Sequence, residues 1–228
     1  MAAGQGRRLR PLTERYAKPV LPLDGRPVLA LLLRELALAG IGRVWLVTGH
    51  LAEQVEALAG DGSAFGIEVQ TVHQPRPDGS ADTVRRAIAA GAKPPLLVTA
   101  ADTLYTRGDV GRFVAASAAA DAAIAVRRHP RAGPNRVPVR IVDGRVARVL
   151  DDDPANPLGS APLWTLGPAV LELLPDLPGP PFELATLLQR AVDTQRHVAG
   201  VEIGRTRDLT DPFDLVEENF PYLKRLSS

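Results

Sequence analysis

The chain has 228 residues and a mass of 24.3 kDa, which fits one α/β domain of ordinary size. Its net charge of +1 is too balanced for a protein whose main partner is a nucleic acid or an anionic membrane surface, and the longest apolar run, 28–33, is shorter than the roughly 18 to 20 residues of a membrane span. The absence of cysteine excludes disulfides, thiolate zinc sites and cysteine nucleophiles, and is typical of a reducing compartment such as the cytoplasm. Nothing in the sequence indicates an oligomeric state.

The first half of the chain alternates helical patterns with strand-like apolar runs across short connections, which is typical of an α/β fold with a mostly parallel sheet. The predicted elements are a helix at 28–38 with Pro27 in its first turn, a strand at 43–48, a helix near 51–59, a strand at 67–72 and a helix at 80–90 with Ser80 as its N-cap. The apolar run 96–100, which leads to Asp102, is predicted to be a central strand because only a strand covered on both faces can be apolar throughout.

The second half of the chain has a more antiparallel pattern. Strands are predicted at 122–126, 137–142 and 146–150, with Asp143-Gly144 as a hairpin turn. Eight prolines between residues 154 and 181 predict loops around one short strand near 163–166 and a helix near 169–174. A helix at 183–193, a strand at 198–203 and an amphipathic helix from 211 to about 226 complete the prediction. No repeat and no long linker interrupts the sequence, so we predict a single domain over 1–228.

The segment 2–18, called the N-terminal loop below, concentrates glycine and positive charge. Its five cations stand against one acid, Glu14, in a chain of nearly zero net charge; they are Arg7, Arg8, Arg10, Arg15 and Lys18. Gly4 and Gly6 allow backbone N–H groups to approach phosphate oxygens, although structural turns share this composition. A dinucleotide-binding loop would need glycine where Leu9 stands, and a Walker loop would need Gly-Lys-Ser/Thr, so both common phosphate loops are excluded.

This segment resembles the signature of the sugar-1-phosphate nucleotidyltransferases, A-A-G-x-G-T-R-L-x-P-L-T followed by K-P-L/V-L-P. The matching residues are Ala2, Ala3, Gly4, Gly6, Arg8, Leu9, Pro11, Leu12, Thr13, Lys18 and Pro19. Arg7 stands where the family usually has Thr or Ser. Further on, the run from Gln74 to Gly79-Ser80-Ala81 resembles the family's Q-x-x-x-x-G-T-A, Ala101-Asp102 resembles G-D, and Glu202-Ile203-Gly204 resembles D-x-G. The resemblance is strong over the first 105 residues and patchy afterwards.

The resemblance implies a Rossmann-like sheet sandwiched by helices, with an antiparallel extension on the substrate side, and a Mg²⁺-dependent reaction. A sugar-1-phosphate oxygen would attack the α-phosphorus of a nucleoside triphosphate, giving a nucleotide sugar and pyrophosphate. Residues 1–105 would form the nucleotide-binding half and 106–228 the sugar-phosphate half. Arg8 would clamp the leaving phosphates and Lys18 would bridge the attacking phosphate and the α-phosphate. The nucleotide would be bound by Ala2, Ala3, Gly4, Gly6, Gln74, Gly79 and Ser80. Asp102 with Glu202 would hold Mg²⁺, and Asp208 and Asp211 stay open as alternatives to Glu202.

Two departures from the family concern the sugar-phosphate half. The family's E-K-P corresponds to Asp152-Asp153-Pro154, so an anion replaces a cation that binds phosphate, and Asn135-Arg136-Val137 replaces a segment with a sugar-contacting glycine. Either Arg136, Arg140 or Arg148 substitutes for the cation, or catalysis is weak. The alternatives left open are a cytidylyltransferase for a non-sugar phosphate such as phosphocholine and a catalytically impaired nucleotide-sugar sensor or subunit. The residues 151–153 are expected to form a solvated turn.

Two further expectations come from residues outside these motifs. The histidines, His50, His73, His129 and His197, lack any metal-binding spacing and are expected to be structural or exposed. The family places a buried strand before A-A-G, and the loss of about five such residues would cost on the order of 8 to 15 kcal/mol. We therefore expect the natural start to lie upstream, with Met1 internal.

Overall fold

The computed structural model of the protein describes residues 1–128, 137–153 and 155–220. Its strands are β1 (Pro22–Leu23), β2 (Arg26–Pro27), β3 (Arg43–Thr48), β4 (Glu68–His73), β5 (Leu96–Thr99), β6 (Thr103–Leu104), β7 (Ala122–Arg128), β8 (Val139–Val142), β9 (Arg145–Val149), β10 (Leu158–Leu166), β11 (Val198–Glu202) and β12 (Arg207–Asp208). Its α-helices are α1 (Val28–Leu38), α2 (Ala52–Ala59), α3 (Ser80–Ala89), α4 (Asp109–Ser117), α5 (Pro168–Leu171), α6 (Leu184–Asp193) and α7 (Pro212–Asn219). None of the helices in these ranges has the length and apolar character to span a lipid bilayer.

The chain divides into two compact units, neither of which is continuous in sequence. The first comprises 1–77, 100–108 and 206–228, and the second comprises 78–99 and 109–205. The prediction that 1–105 binds the nucleotide and 106–228 binds the sugar phosphate concerns ligands, and this division of the chain does not test it.

The first unit is built on the parallel pair β3–β4, the short hairpin β1–β2 and the antiparallel pair β6–β12. Helix α1 buries Val28, Leu29, Leu32, Leu33 and Leu36, whose spacing of one, three or four residues places them on one face. Part of the core joins distant segments: Leu9, Leu21, Leu23 and Val28 pack with Leu209, which follows β12. The segment after residue 205 is therefore part of the core of this unit.

An arginine connects three pieces of the first unit. Arg207 on β12 donates two hydrogen bonds to Asp24 in the β1–β2 turn, at 2.6 and 2.9 Å, and its Nε donates to Glu218 on α7 at 2.5 Å. Hydrogen bonding from Arg207 lowers the pKa of Asp24 below its ordinary value, and the same contacts raise the pKa of Arg207. The hairpin, β12 and α7 are thus held together by one guanidinium.

The second unit contains a six-stranded mixed sheet in the order β5-β10-β7-β11-β9-β8. Strands β5, β7, β8 and β11 run in one direction and β9 and β10 in the other, so β7–β11 is the parallel neighbouring pair. The β8–β9 hairpin turns at Asp143 and Gly144, both with positive φ, as their Asp-Gly sequence predicts. The α/β class and the antiparallel pairing after residue 121 are confirmed.

Several predictions about individual elements are wrong. Strand β5 lies at an edge of the sheet of its unit, and only Val98 in it is buried. The strand covered on both faces is β7, whose five residues from Ala122 to Val126 are all buried. The helix N-cap at α3 is Gly79, so Ser80 is the first helical residue. Strand β10 has nine residues because its register shift between Ser160 and Trp164 accommodates Pro162.

Some elements were not predicted, or only partly. The two-residue strands β1, β2, β6 and β12 are too short to show any periodicity. Helix α4 was not predicted, although Val110, Phe113 and Val114 in it have helical spacing. Helix α5 is shorter than the predicted 169–174 helix and ends at Leu171. The last helix begins after Asp211, as predicted, but it ends at Asn219, earlier than expected, and Phe220 has a non-helical backbone. Residues 221–226 lie outside the described residues.

Candidate active site

The N-terminal loop begins at the carboxyl end of strand β3. The backbone N–H of Ala2 donates to Val47 at 2.7 Å, and the carbonyl of Met1 accepts from Ala101 at 2.9 Å. Residues 1 and 2 therefore lie between the end of β3 and the residue before Asp102. The loop and the aspartate are brought together by backbone hydrogen bonds from both sides.

The glycines of this region differ in whether the fold leaves room for a side chain. A Cβ on Gly49 would lie 2.9 Å from the carbonyl oxygen of Ala3, so Gly49 permits the close approach of the loop to β3. Gly6 has a φ of +58°, and a Cβ there would lie 2.8 Å from Cγ2 of Thr13. Gly4 is exposed, and a Cβ on it would meet nothing within 4 Å. The fold itself does not require glycine at position 4, which is consistent with a backbone that a ligand approaches.

The structure brings the two strongest site predictions into contact. The ammonium of Lys18, which opens the 3-10 turn Lys18–Val20, forms an ion pair with the carboxylate of Asp102, which follows β5. The side chains are 18% and 22% exposed, so the pair is largely withdrawn from water but still accessible. A lysine and an aspartate from distant parts of the sequence thus meet beside the glycine loop.

The remaining cations of the loop are exposed. The side chains of Arg8, Arg10 and Arg15 make no hydrogen bond or ion pair with any residue in the described ranges, whereas Arg7 donates to Gln5 at 2.9 Å. Several like charges on one short loop repel one another unless an anion compensates them. The loop therefore presents a positive surface suited to a polyanion such as a triphosphate.

Among the candidate second carboxylates, Asp208 is in the strand that pairs with β6, the strand that begins directly after Asp102. Strand β12 pairs with β6 so that Asp208 is opposite Thr103, the residue after Asp102. The carboxylate of Asp208 accepts hydrogen bonds from Thr206 at 3.3 Å and from Thr210 at 3.0 Å. Asp211, by contrast, accepts from the first turn of α7 and closes a capping box with Asp214, which makes it a helix cap.

Glu202 has a different environment. It ends β11 in the second unit, and its carboxylate accepts from Nε of Arg128 at 2.8 Å. Both side chains are about half exposed. Its role as a metal ligand stays a prediction.

The donor set around Asp102 suits Mg²⁺. Carboxylate oxygens are hard ligands, and Mg²⁺ is usually held by one or two of them together with water and substrate phosphates. Asp102 and Asp208 would supply two, and no group of three or more His, Asp or Glu side chains in the described part of the chain is arranged to hold a metal. The residues present therefore fit an ion that binds together with a phosphate ligand.

Two of the residues predicted to bind the nucleotide, Gln74 and Gly79, belong to different units. Gln74 follows β4 in the first unit, is 3% exposed, and its N–H donates to Thr48 at 2.7 Å. In the second unit, Gly79 has a φ of +107°, and a Cβ on it would lie 2.6 Å from the backbone nitrogen of Phe182. Gly79 is thus required by packing, and its contact with a base stays a prediction.

The hydroxyl of Ser80 is used within the protein. It donates to the carboxylate of Glu183 at 2.6 Å and accepts from the N–H of Leu184 at 2.8 Å. The starts of α3 and α6 are therefore joined by one hydroxyl. The expected contact of Ser80 with a nucleotide stays a prediction.

The aspartate triplet is a paired structure, which corrects the expected solvated turn. Asp151 is buried and accepts from Arg140 at 3.1 and 3.3 Å and from Asn156 at 2.8 Å. Burial alone would raise the pKa of Asp151, but these hydrogen bonds outweigh it and the pKa is lowered. Arg140 also contacts Asp153 at 3.4 Å.

The arginines expected to replace the family lysine are therefore partly neutralised. Arg140 is shared between two aspartates, and Arg148 lies 3.7 Å from the carboxylate of Asp152. Arg136, Asn135 and Pro154, together with His129, lie outside the described residues.

Two residues bind backbone groups of the N-terminal loop. His50 has the structural role expected of the histidines, whereas no role is predicted for Gln54. The sequence gives no signal for Gln54, which lies within an ordinary helical pattern.

Comparison with known proteins identifies relatives. The family profile described as Nucleotidyl transferase matches residues 1–136. A glucose-1-phosphate thymidylyltransferase of Streptomyces griseus is 30% identical over 96% of this chain, which spans 64% of that protein's length. A solved structure of UDP-glucose pyrophosphorylase complexed with UDP-glucose superposes with a TM-score of 0.82 at 18% sequence identity, and the match covers 98% of this chain and 97% of that one. The structure of the inositol-1-phosphate CTP transferase from T. maritima superposes with a TM-score of 0.80 at 19% identity, and the match covers 99% of this chain and 92% of that one. The likeness of these two structures concerns the fold. Because the family profile covers more than half of the chain, including the loop and Asp102, the chain belongs to the nucleotidyl transferase family.

Proposed function

We propose that this protein transfers a nucleotidyl group from a nucleoside triphosphate to a sugar-1-phosphate and releases pyrophosphate. The observation that carries the proposal is the contact of Lys18 with Asp102 beside the glycine loop. A lone exposed cation binds many anions, but a lysine paired with a carboxylate next to an open glycine backbone suits a phosphate ligand that brings a divalent cation. The thymidylyltransferase relative supports a sugar-1-phosphate as the acceptor.

The proposed reaction needs alignment and charge neutralisation more than a protein nucleophile. A phosphate oxygen of the acceptor attacks the α-phosphorus, a new P–O bond forms, and the bond from the α-phosphorus to the bridging oxygen breaks as pyrophosphate leaves. The exposed guanidinium of Arg8 is available to the leaving phosphates, and the backbone at Gly4 is open to the triphosphate. Lys18 would contact the attacking phosphate and the α-phosphate once its bond to Asp102 opens.

Asp102 and Asp208 would hold the Mg²⁺ ion that we propose as cofactor. Mg²⁺ supplies neutralisation of phosphate charge, which lowers the repulsion between the two anionic substrates. We infer that Asp208 is the second ligand because the β6–β12 pairing places it opposite Thr103, whereas Glu202 is paired with Arg128. A nucleoside triphosphate is available in the cytoplasm, where we propose that the protein acts.

A pyrophosphate-release assay tests the reaction. ATP, GTP, CTP, UTP and dTTP are each combined with a panel of sugar-1-phosphates, with phosphocholine and with inositol-1-phosphate, in Mg²⁺ or in excess EDTA. We expect release with at least one sugar-1-phosphate, its loss in EDTA, and its loss in Asp102→Asn and Asp208→Asn. Lys93→Met is the matched control, because the side chain of Lys93 is exposed and makes no hydrogen bond or ion pair in the described structure.

Each other outcome of the assay contradicts part of the proposal. Turnover with CTP and a non-sugar phosphate alone would replace the sugar acceptor, an alternative that the likeness to the inositol-1-phosphate CTP transferase makes worth including. Saturable nucleotide binding without turnover for any pair would favour a sensor. The observation behind this alternative is that Arg140 and Arg148 are paired with aspartates and so are partly neutralised as phosphate-binding cations. Full activity of Asp208→Asn with loss in Glu202→Gln would reverse the assignment of the second ligand.

A further inference from the structure

The N-terminal loop has little regular structure of its own and depends on contacts from the start of helix α2. It contains two short 3-10 turns, and a third begins at Lys18; each turn is closed by two or three backbone hydrogen bonds. Two side chains near the start of α2 make up for this: Gln54 binds the end of the loop, and His50 binds its middle. The loop that carries the predicted phosphate contacts is thus fixed from outside.

Gln54 binds the peptide groups on both sides of Tyr16. Its Nε2 donates to the carbonyl of Arg15 at 2.7 Å, and its Oε1 accepts from the N–H of Ala17 at 2.8 Å. A primary amide offers both a donor and an acceptor, so it pairs with these two groups as a neighbouring strand would. No hydrocarbon or carboxylate side chain of this size can make both bonds.

The position of Lys18 depends on this pairing. Ala17 is 1% exposed, precedes Lys18 directly and is the N-cap of the turn that Lys18 opens. Fixing the N–H of Ala17 therefore fixes the direction in which the lysine side chain leaves the backbone. That side chain ends at the carboxylate of Asp102.

The glycine end of the loop has a separate attachment. His50 Nε2 lies 2.7 Å from the carbonyl of Thr13, to which it donates, and the hydroxyl of Thr13 donates to the carbonyl of Gly6 at 2.9 Å. Removal of the Gln54 amide leaves these bonds in place. The two ends of the loop can therefore be disturbed one at a time.

We propose that Gln54 is a positioning residue that sets the backbone at Ala17 so that Lys18 reaches the reacting phosphates. The proposal rests on the proposed function for its kinetic consequences. A misplacement of about 1 Å at a reacting group can cost about 100-fold in rate. We expect Gln54→Leu to lower kcat by about 10- to 100-fold, while KM for the triphosphate stays within about threefold because the Gly4–Gly6 end keeps its attachment.

The position of Lys18 can be measured without any turnover. The chain has three lysines, Lys18, Lys93 and Lys224, so side-chain ¹⁵N NMR gives few signals, and Lys18→Met and Lys93→Met assign two of them. We expect the ion pair with Asp102 to displace the Lys18 signal in the wild type, and Asp102→Asn to remove this displacement. We expect Gln54→Leu to move the Lys18 signal toward that of exposed Lys93.

The matched variants separate positioning from general stability. Gln54→Glu keeps the size and the acceptor for Ala17 but replaces the donor to Arg15 with an anion, and we expect it to move the Lys18 signal and lower kcat as well. Gln70 is exposed on β4, and its side chain makes no hydrogen bond in the described structure, so Gln70→Leu should leave both unchanged. Circular dichroism melting verifies that each variant is folded at the assay temperature.

Either of two results would overturn the proposal: a folded Gln54→Leu or Gln54→Glu protein with the wild-type Lys18 signal, or one in which KM for the triphosphate rises as much as kcat falls. If the wild type turns over no substrate pair, the proposed function fails. The Lys18 signal alone then decides whether Gln54 positions the lysine.

Discussion

The ion pair between Lys18 and Asp102 predicts that stability and activity respond differently to the same double substitution. Two unit charges about 4 Å apart interact by about 1 kcal/mol in water and by about 4 kcal/mol at an effective dielectric constant of 20. Both side chains are about one-fifth exposed, and desolvation offsets part of the attraction. We therefore expect a coupling free energy of about 1 to 2 kcal/mol.

The measurement is a double-mutant cycle with Lys18→Met, Asp102→Asn and the double variant. In a chain of this length 1 kcal/mol corresponds to about 2 to 4 °C in Tm, so each single variant should melt several degrees below the wild type and the double variant should recover most of the loss. Turnover should fall by at least about 100-fold in each single variant and stay low in the double variant, because each residue has its own role toward substrate.

Two results would refute this reasoning. Additive melting losses would show that the pair has no coupling energy in solution. Recovery of turnover together with stability would show that Lys18 and Asp102 matter only to each other, and not to a phosphate and a cation. Lys93→Met serves as the control for removing a lysine charge elsewhere in the chain.

Three further predictions concern residues outside this pair. Gly4→Ala should change the free energy of unfolding by less than about 1 kcal/mol, because a Cβ at this position meets no atom within 4 Å. It should nevertheless raise KM for the triphosphate about tenfold, because the methyl group obstructs a backbone hydrogen bond to phosphate. Gly111→Ala in α4, where a Cβ also meets nothing, should leave KM unchanged. Titration of pyrophosphate release checks this, and an unchanged KM in Gly4→Ala would remove Gly4 from the site. Arg207→Met should destabilise the protein by about 2 to 3 kcal/mol in urea unfolding at pH 7, because it leaves the mostly buried Glu218 without its cation. Because the pKa of Asp24 is lowered in the folded protein from 3.8, its contribution is present above about pH 4 and lost as the pH falls through the folded pKa. The stability difference between Arg207→Met and the wild type should therefore stay constant from pH 7 to 5 and shrink below pH 4, and a difference that shrinks already near pH 6 would contradict the assignment to Asp24.

The N-terminal loop and Asp102 could be predicted because each is part of a short contiguous motif. The loop from Ala2 to Lys18 carries glycines, cations and a recognisable order, and Asp102 follows an apolar strand. The structure places Lys18 against Asp102, although no local pattern joins positions so far apart. The family resemblance supplied that link, since it associates the two motifs.

Other features depend on pairings that local patterns do not encode. Strand β5 and strand β7 are both apolar runs, and their different places in the sheet follow from which strands pair with them. Asp208 and Thr103 sit in two-residue strands, too short for any periodicity. Ser80 has the residue type and position of an N-cap, but the close approach of Phe182 to Gly79 shifts the cap by one residue.

The first unit consists of three separate stretches of sequence, and this affects when it can fold during synthesis. Its hydrophobic cluster needs Leu209 as well as Leu9, and the arginine that joins its hairpin to its last helix is residue 207. Residues 78–99 and 109–205 emerge earlier than this closing segment. During synthesis, the amino-terminal segment therefore cannot complete this hydrophobic cluster until residue 209 has left the ribosome, and a stop codon before position 206 would remove both Arg207 and Leu209 from the unit.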